Sequence, residues 1–427
     1  MKRALYRIEA VPLLVGALAL FAILALWTQV QPFASLSDYG VLNDPTQSNA
    51  ARRNVTLLIM GAALLLIWRR RQLGRLWQAC NPLLVAIFVW FAFTALLSPA
   101  PGLALNRLVL AGVVIVIAAC LPLLFTRMES FAAVLGMATS GAILLCFGGA
   151  IFLPDLAIHS LRDTVEQGLA GDWRGMFRHK NDLAPMAIHF TFVGILLWQL
   201  RWRCWGGAII LGALLLLALS GGKTASLLLL PSLLGAMLII RLGDRGAALV
   251  ALMLLGGLAL LTVGSVAFPP IGALVAHLPD PSFTGRADIW QLALEAIGKR
   301  PLTGYGYNVF WDTGATYLVA GTGDTAALVS HAHNGFLDTA LSAGLPGLLL
   351  VIFWAGIAPL QHIAAIKHRR MGSSERAFLQ YLVSAWLFTL LVSNLEAILF
   401  NRGDSIWFTG LLAIICLRFW AREELAR

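Results

Sequence analysis

Apolar segments recur from one end of the chain to the other, separated by short polar stretches. An α-helix needs about 20 mainly apolar residues to cross a bilayer, so each segment predicts a membrane-spanning helix. We predict twelve such helices, near residues 11–30, 54–68, 82–98, 108–125, 131–153, 184–200, 206–221, 224–240, 246–267, 335–360, 377–395 and 405–420.

The composition supports this interpretation. Of the 427 residues, 59% are hydrophobic and only 12% are charged, which is too little charge for the surface of a soluble protein of this length. The 14 Trp and 22 Phe residues suit interfacial belts and lipid-facing surfaces. The predicted fold class is therefore an all-α, polytopic membrane helix bundle, with residues 1–427 forming a single integral membrane domain.

The distribution of charge orients the predicted bundle. Twelve spans place both termini on one side; Lys and Arg divide 19 to 12 in favour of that side, whereas Asp and Glu divide 6 to 15. By the positive-inside rule, both termini are predicted to face the cytoplasm. The net charge of +10 then reflects topological anchors, such as residues 69–75 and 367–370, and no nucleic-acid partner is predicted.

The first apolar segment has a signal peptide as its alternative. It follows a basic start and runs from Val11 to about Trp27, which is longer than a typical signal-peptide core. No clean small-x-small cleavage site follows it. We interpret it as a retained first helix.

Three segments on the predicted outer side are long enough to form a site: residues 31–53, 155–183 and 269–334. The longest contains TGRADIWQLALEAIGKRP, whose apolar residues recur at helical spacing. We expect a helix of about three turns there, capped by Thr284 and ended before Pro301.

The tenth predicted span is interrupted soon after it begins. Gly344, Pro346 and Gly347 are expected to break it, which leaves His333 near the start of a short half-helix. An imidazole titrates near neutral pH, so His333 is a candidate base that removes a proton from a hydroxyl group. The alternative is a helix-terminal histidine bonded to a carbonyl group.

The sequence predicts neither a metal site nor a disulfide framework. His331 and His333 form an H-x-H pair, but no third and fourth ligands of suitable spacing accompany them. The cysteines have no paired spacing; they are Cys80, Cys120, Cys146, Cys204 and Cys416.

Basic residues cluster in the second outer segment, against the topological bias. Arg174, Arg178 and Lys180 lie within seven residues, just before the sixth span. Guanidinium groups match phosphate oxygens, so the cluster is a candidate site for a strongly anionic ligand. The alternative is pairing with Asp172 or Asp182, or contact with anionic lipid headgroups.

Arg286 and Lys223 are further candidates for binding an anion. Arg286 has Asp288 as an alternative local partner. Lys223 lies in SGGKT, at a tight turn between two spans, where a charge is costly. A P-loop would need a preceding strand and a glycine where Leu217 stands, so a nucleotide site is excluded.

Together these segments resemble the O-antigen ligase family of bacterial membrane glycosyltransferases, which also contains surface-polysaccharide polymerases. In the histidine signature, His333-Asn334 is followed, after nine residues, by Gly-Leu-Pro-Gly. At Lys223 the family usually has arginine, so the charge is kept but the planar fork is lost. The resemblance covers residues 170–350, with a family core region over residues 206–360, and rests on residues 173–181, 220–225, 285–290, 303–306 and 333–347.

The resemblance implies a reaction at the periplasmic face of the inner membrane. An acceptor sugar hydroxyl displaces undecaprenyl pyrophosphate from a glycan with inversion, without a nucleotide, a metal or another cofactor. The implied partners are this lipid-linked donor, a glycan or lipid A-core acceptor, and membrane lipids. The implied site comprises the base His333 with Arg286, the pyrophosphate-binding residues Lys223, Arg178, Arg174 and Lys180, and the supporting residues His331, Asn334 and Tyr305. Arg286, Lys223 and Arg178 rank first among the cations.

Two further alternatives remain open. A polymerase and a ligase differ in their acceptor, and the Arg-His-Lys-Asn element at residues 178–181 favours a polymerase. A twelve-helix transporter is the competing class. Transporters, however, place charged groups near the middle of the bilayer, whereas the candidate cations here lie at the outer ends and loops.

Overall fold

The computed structural model describes residues 2–34, 49–160, 167–278, 280–313, 316 and 329–422. Parts of all three predicted outer segments, namely residues 35–48, 161–166 and 317–328, therefore lie outside the described residues. Within the described ranges the chain forms fourteen helices of ten or more residues: α1 Lys2–Trp27, α2 Ala50–Arg69, α3 Pro82–Leu96, α4 Pro101–Leu123, α5 Met128–Phe152, α6 Lys180–Gln199, α7 Arg203–Leu219, α8 Lys223–Arg241, α9 Asp244–Leu261, α10 Arg286–Lys299, α11 Gly335–Val351, α12 Ala358–Lys367, α13 Ser373–Val392 and α14 Ser405–Ala421.

Each predicted span falls on one of these helices, and the tenth span covers α11, a π-helical turn and α12 as one element of 33 residues. Seven helical elements are long and apolar enough to cross a membrane, and four shorter apolar helices accompany them. The 20-residue helix α13 lies in the middle of the bundle and is buried along most of its length. The prediction of an all-α, polytopic membrane protein is confirmed.

Contacts between connecting segments join those that were predicted to share the outer side. The first and second outer segments meet where the Phe33 N–H donates to the Met176 carbonyl at 3.2 Å. The second segment also meets the turn between α7 and α8, because the Trp173 N–H donates to the Leu219 carbonyl at 3.0 Å. We call this end of the bundle the outer end.

The opposite, inner end holds contacts of the same kind. Lys367 Nζ lies 3.0 Å from Asp244 Oδ1, which joins the last residue of α12 to the first residue of α9. Arg418 Nε donates to the Gln78 carbonyl at 2.8 Å, which joins α14 to the segment before α3. The sorting of contacts by end supports the predicted alternation of spans.

Helix α10 is the helix expected in the long outer segment, but its start differs from the prediction. Gly285, with φ of 81°, precedes its first residue, and no side chain caps it. The prediction that Thr284 caps the helix is wrong, because Gly285 is the residue before the helix and the Thr284 hydroxyl donates to Asp280 Oδ2 at 3.1 Å instead. The helix ends at Lys299, before Pro301, as predicted.

The break in the tenth span is present at Gly344, whose φ and ψ are 67° and −177°. A Cβ at this position would overlap the Leu302 carbonyl, so a side chain is excluded. The long outer segment bonds to the backbone around this break: the Leu345 N–H donates to the Pro301 carbonyl at 2.7 Å, and the Tyr305 N–H donates to the Leu341 carbonyl at 2.7 Å. The break therefore anchors the long segment to α11.

A small apolar core holds α10 against the first half of α11. Trp290 is fully buried there, and its indole Nε1 donates to the Ala332 carbonyl at 3.1 Å. Burying a large apolar side chain contributes about 2–3 kcal/mol, so this contact fixes the backbone between His331 and His333 firmly. The core consists of Trp290, Ala293, Ala296, Ile297, Tyr305, Phe310, Ala332, Leu337, Ala340 and Leu341.

Candidate active site

Asn334 places residues 331–334, which we call the histidine segment, at the start of α11. Its Oδ1 accepts the N–H groups of Phe336 and Leu337, both at 3.0 Å, and so caps the helix. Its Nδ2 donates to the Asn394 carbonyl at 2.9 Å, which ties the cap to the segment between α13 and α14. His333, one residue earlier, has φ of 46°, a conformation that is uncommon for a residue with a side chain. Such strain persists only where the surroundings hold it.

Glu396 joins the two residues that were predicted to be catalytic. His333 Nδ1 lies 3.3 Å from Glu396 Oε2, and Arg286 Nη2 lies 2.7 Å from Glu396 Oε1. Arg286 also donates through Nη1 to the Leu395 carbonyl at 2.6 Å. The His333 side chain is 25% exposed, whereas those of Glu396 and Arg286 are 14% and 12% exposed. The imidazole is thus the accessible member of the group.

The surroundings keep Glu396 ionised. Burial disfavours its charge, but the hydrogen bond with His333 and the charge of Arg286 outweigh burial and lower the pKa of Glu396 to about 2. An ionised carboxylate can only accept hydrogen bonds, so the proton of the neutral imidazole resides on His333 Nδ1. The other ring nitrogen, Nε2, is then an acceptor, as a general base requires.

His331 supports this segment from within. The His333 N–H donates to His331 Nδ1 at 3.2 Å, and the two rings lie 4.1 Å apart. Burial, followed by the charge of His333, lowers the pKa of His331 to about 3, so its imidazole is neutral at pH 7. Asp338 holds the same segment, since its Oδ1 accepts the Ala332 N–H at 3.2 Å and Trp311 Nε1 at 2.8 Å.

Arg174 and Lys180 have partners inside the second outer segment or next to it. Arg174 is fully buried, and its Nη1 donates to the Ala34 carbonyl at 2.9 Å and the Arg178 carbonyl at 3.2 Å. Lys180 Nζ lies 2.5 Å from Asp172 Oδ2, which is one of the pairings left open by the sequence. These contacts give both residues a structural role in the loop, and Arg174 is buried from solvent.

Lys223 occupies a different setting, as the exposed first residue of α8. The turn before it packs on the second segment, because a Cβ at Gly221 would meet the Asp172 carboxylate and one at Gly222 would overlap Ala184. Within the part of the chain that the structure describes, no carboxylate pairs with the Lys223 ammonium group. This cation remains available to a ligand.

Charge interactions connect the second segment to the histidine segment. The Asp182 carboxylate interacts with both Arg178 and Glu396, so the structure brings Arg178 toward the group around His333. Asp404, just before α14, lies beside them: burial, together with the charges of Asp182 and Glu396, raises the pKa of Asp404 to about 8. Asp404 is therefore mainly neutral at pH 7, whereas Glu396 is ionised and pairs with His333.

Tyr305 lies beneath the surface, away from this group. Its hydroxyl donates to the Ala296 carbonyl at 3.0 Å, and the Arg300 guanidinium lies 5.0 Å from its ring centre. It therefore supports the packing of the long segment against α10.

Among the described residues, no three His, Cys, Asp or Glu side chains are placed to share a metal ion.

Sequence reasoning missed Glu396, Asp338 and Asp404. Glu396 carried a usable signal, because it is a carboxylate within the apolar stretch between the last two spans. A charge at such a position needs a partner. The sequence alone, however, does not tell which of the other loops supplies that partner.

Two comparisons with known proteins show what this chain is similar to. Residues 206–352 match the model of a family described as O-Antigen ligase. The chain is also 30% identical, over 203 residues, to the exopolysaccharide production protein ExoQ of Rhizobium meliloti (strain 1021). That match covers 42% of this chain and 43% of the relative, so the chain spans less than half the length of this curated relative.

The resemblance to the O-antigen ligase family that the sequence predicts is thus confirmed over residues 206–352. The region includes Lys223, Arg286 and the whole histidine segment, but it ends before Glu396.

Proposed function

We propose that this protein is a metal-independent, inverting glycosyltransferase that moves a glycan from undecaprenyl pyrophosphate to an acceptor sugar hydroxyl. The reaction takes place at the outer end, which faces the periplasm when the protein lies in a bacterial inner membrane. The observation that carries the proposal is the contact of His333 with Glu396 and of Glu396 with Arg286. It supplies an oriented base at an accessible position.

In the proposed reaction His333 Nε2 accepts the proton of the acceptor hydroxyl while the hydroxyl oxygen bonds to the anomeric carbon of the donor glycan. The bond from that carbon to the pyrophosphate oxygen breaks, and the lipid pyrophosphate leaves with the electron pair. Glu396 holds the ring by accepting from Nδ1 and stabilises the imidazolium that forms, as an orienting carboxylate does in other base-catalysed transfers. Arg286 acts through Glu396, because the carboxylate and the Leu395 carbonyl occupy its two terminal nitrogens.

We assign the leaving pyrophosphate to Lys223 and Arg178. Lys223 is exposed and has no paired carboxylate among the described residues, and Arg178 is the cation of the second segment whose charge reaches the group around His333. Cations at this position stabilise the negative charge that develops as the bond breaks. Arg174 and Lys180 shape the loop that presents Arg178, since their contacts lie within the loop or on the neighbouring backbone.

The acceptor decides between two members of this enzyme class. A relative named for exopolysaccharide production supports a polymerase, which joins lipid-linked repeats. The description of the matched family supports the second candidate, an O-antigen ligase that transfers the glycan to lipid A-core. Transport is disfavoured, because His333, Glu396 and Arg286 gather at one end of the bundle and not halfway along it.

The test uses the purified full chain, a lipid-pyrophosphate-linked repeat from the native host, and reactions with and without lipid A-core. A ladder of longer lipid-linked glycans identifies a polymerase, and a single shift of lipid A-core identifies a ligase. In His333→Ala either product falls by about 10²- to 10⁴-fold, the usual contribution of a general base. Full product yield in the variant contradicts the assignment of the base. No transfer by the wild type, with a donor shown to be competent, contradicts the function.

A further inference from the structure

A cavity of about 480 Å³ lies in the inner half of the bundle, away from the outer end. Its walls are mainly apolar side chains of α2, α4, α12, α14 and the π-helical turn before α12. This volume is typical of a small-molecule site, and π-helical turns are frequent at functional sites. Apolar walls keep water out, so the cavity favours an apolar occupant.

The depth of the cavity matches one leaflet of a bilayer. At the inner end it reaches Arg418, whose Nε donates to the Gln78 carbonyl at 2.8 Å. Met60 lines it nine positions before the end of α2, which is about 14 Å further into the membrane. Half of the hydrocarbon core is about 15 Å thick. Trp77 also lines the cavity and is 76% exposed, which suits a side chain at the membrane interface.

The inner end of the cavity is basic. Arg418 bonds to the described residues through Nε, and its two terminal nitrogens make no hydrogen bond or ion pair among them. His362 of α12 lines the same cavity, and its Nδ1 is buried without a hydrogen-bond partner in the described chain. No described carboxylate lines the cavity. A guanidinium that is buried without a counter-charge is costly, so an anionic group is expected beside Arg418.

We propose that this cavity binds an anionic phospholipid of the inner leaflet, with one acyl chain between the apolar walls and the phosphate at Arg418. A guanidinium group matches phosphate oxygens. Basic pockets between membrane helices on the cytoplasmic side bind the headgroups of anionic lipids, and the positive-inside rule assigns this end to the cytoplasm. The proposed glycosyl transfer takes place at the opposite end, so the lipid site stands or falls independently of it.

Lipid retention tests the proposal without turnover. The full-length protein in detergent is titrated with phosphatidylglycerol or with phosphatidylcholine of the same acyl chains, and bound lipid is counted by native mass spectrometry. The wild type should prefer phosphatidylglycerol, Arg418→Gln should bind it about 10- to 100-fold more weakly, and Ala119→Phe, which fills the cavity, should not retain it. Arg422→Gln removes an exposed cation that does not line the cavity and should retain the lipid. Equal wild-type binding of both lipids, or full retention by Ala119→Phe, overturns the proposal.

Thiol labelling then locates the bound lipid. Cys80 is exposed and lines the cavity, Cys204 is exposed in the first turn of α7 and does not line it, and the other three cysteines are buried. Phosphatidylglycerol at about ten times its Kd should slow the maleimide labelling of Cys80 about 10-fold and leave that of Cys204 unchanged. Unchanged labelling of Cys80 overturns the proposal. Stronger protection of Cys80 by undecaprenyl phosphate also overturns it, because the cavity then belongs to a polyprenyl lipid.

Discussion

The second outer segment and the histidine segment contain similar residues but use them in opposite ways. In the second segment, Arg174 and Lys180 contact the loop itself or the neighbouring backbone. In the histidine segment, His333 contacts Glu396, 63 positions away, and Asn334 contacts the Asn394 backbone, 60 positions away. Arg174 and Lys180 hold a loop in place, Arg174 by bonding the Ala34 backbone 140 positions away, whereas the partners of the histidine segment hold it with the His333 ring left accessible.

The difference shows that a cluster of cations in sequence is weak evidence for a ligand site. Three cations within seven residues suggested one anion site, yet two of them have structural partners. The isolated cation Lys223 is exposed, has no bonded partner among the described residues and is better placed for an anion. A cation whose side chain is not already bonded within the protein is the better candidate for binding a ligand.

The largest effect is expected from a change at Glu396, the residue that contacts His333 from the segment between α13 and α14. Glu396→Gln keeps the shape of the side chain but removes the charge that holds the proton on His333 Nδ1, so we expect kcat to fall by about 10²- to 10⁴-fold, with KM nearly unchanged. Transfer rates measured at saturating donor check this. Glu129→Gln, which removes an exposed carboxylate on α5, is the matched control and retains full activity.

Rescue separates positioning from folding in this variant. Glu396→Asp keeps the charge but shortens the reach, so it should recover part of the rate, and its thermal unfolding should match that of Glu396→Gln. If both variants lose activity and unfold at the same lower temperature, Glu396 serves stability and the proposed orientation of His333 is wrong.

The next effect tests the second segment, where stability and activity should separate. Arg174→Gln removes a fully buried guanidinium that bonds two backbone carbonyls, and we expect a loss of about 2–4 kcal/mol in unfolding free energy. Lys223→Gln, at an exposed position, should leave stability within about 0.5 kcal/mol but raise the donor KM. Unfolding in nanodiscs and donor titrations provide the two measurements. A stable Arg174→Gln with a raised donor KM would reverse the assignment.

Much of the fold could be predicted because its signals are local. Each apolar run coincides with a described helix, periodicity located α10, and the glycines beginning at Gly344 located the break in the tenth predicted span. The cap of α10 was mispredicted because the Thr284 hydroxyl donates to Asp280, four residues earlier. That competition between two nearby polar groups is decided by backbone geometry, which the pattern of residue types does not contain.

The site was predicted in part, for a related reason. His333, Arg286 and Lys223 stand in short motifs, whereas Glu396 stands in none of them. Its contact with Arg286 crosses 110 positions and depends on which spans are neighbours in the bundle. Alternation along the chain gives the side of each loop but not its neighbours. A carboxylate in an apolar stretch therefore indicates that a partner exists, but the sequence does not identify the partner.

The smallest expected effect concerns pH and separates the contribution of Glu396 to stability from that of His331. Because the pKa of Glu396 is lowered from 4.5 to about 2, its stabilising contribution is complete above about pH 4.5 and is lost as the pH falls through about 2. His331 acts at higher pH, because its pKa falls from 6.5 in the unfolded chain to about 3 in the folded one. Between these values the unfolded state binds the extra proton, so stability falls as the pH decreases.

From pH 7 to pH 5 the His331 contribution should decline by about 1–2 kcal/mol, while that of Glu396 stays constant. Chemical unfolding of the wild type and of His331→Asn over this range measures the difference, since all other groups are shared. The variant should show the shallower dependence on pH. Equal slopes would mean that the folded protein binds a proton at His331 as readily as the unfolded chain does, so that the bond from the His333 N–H does not hold this ring neutral, and the local support for the proposed base would then rest on Asn334 and Glu396 alone.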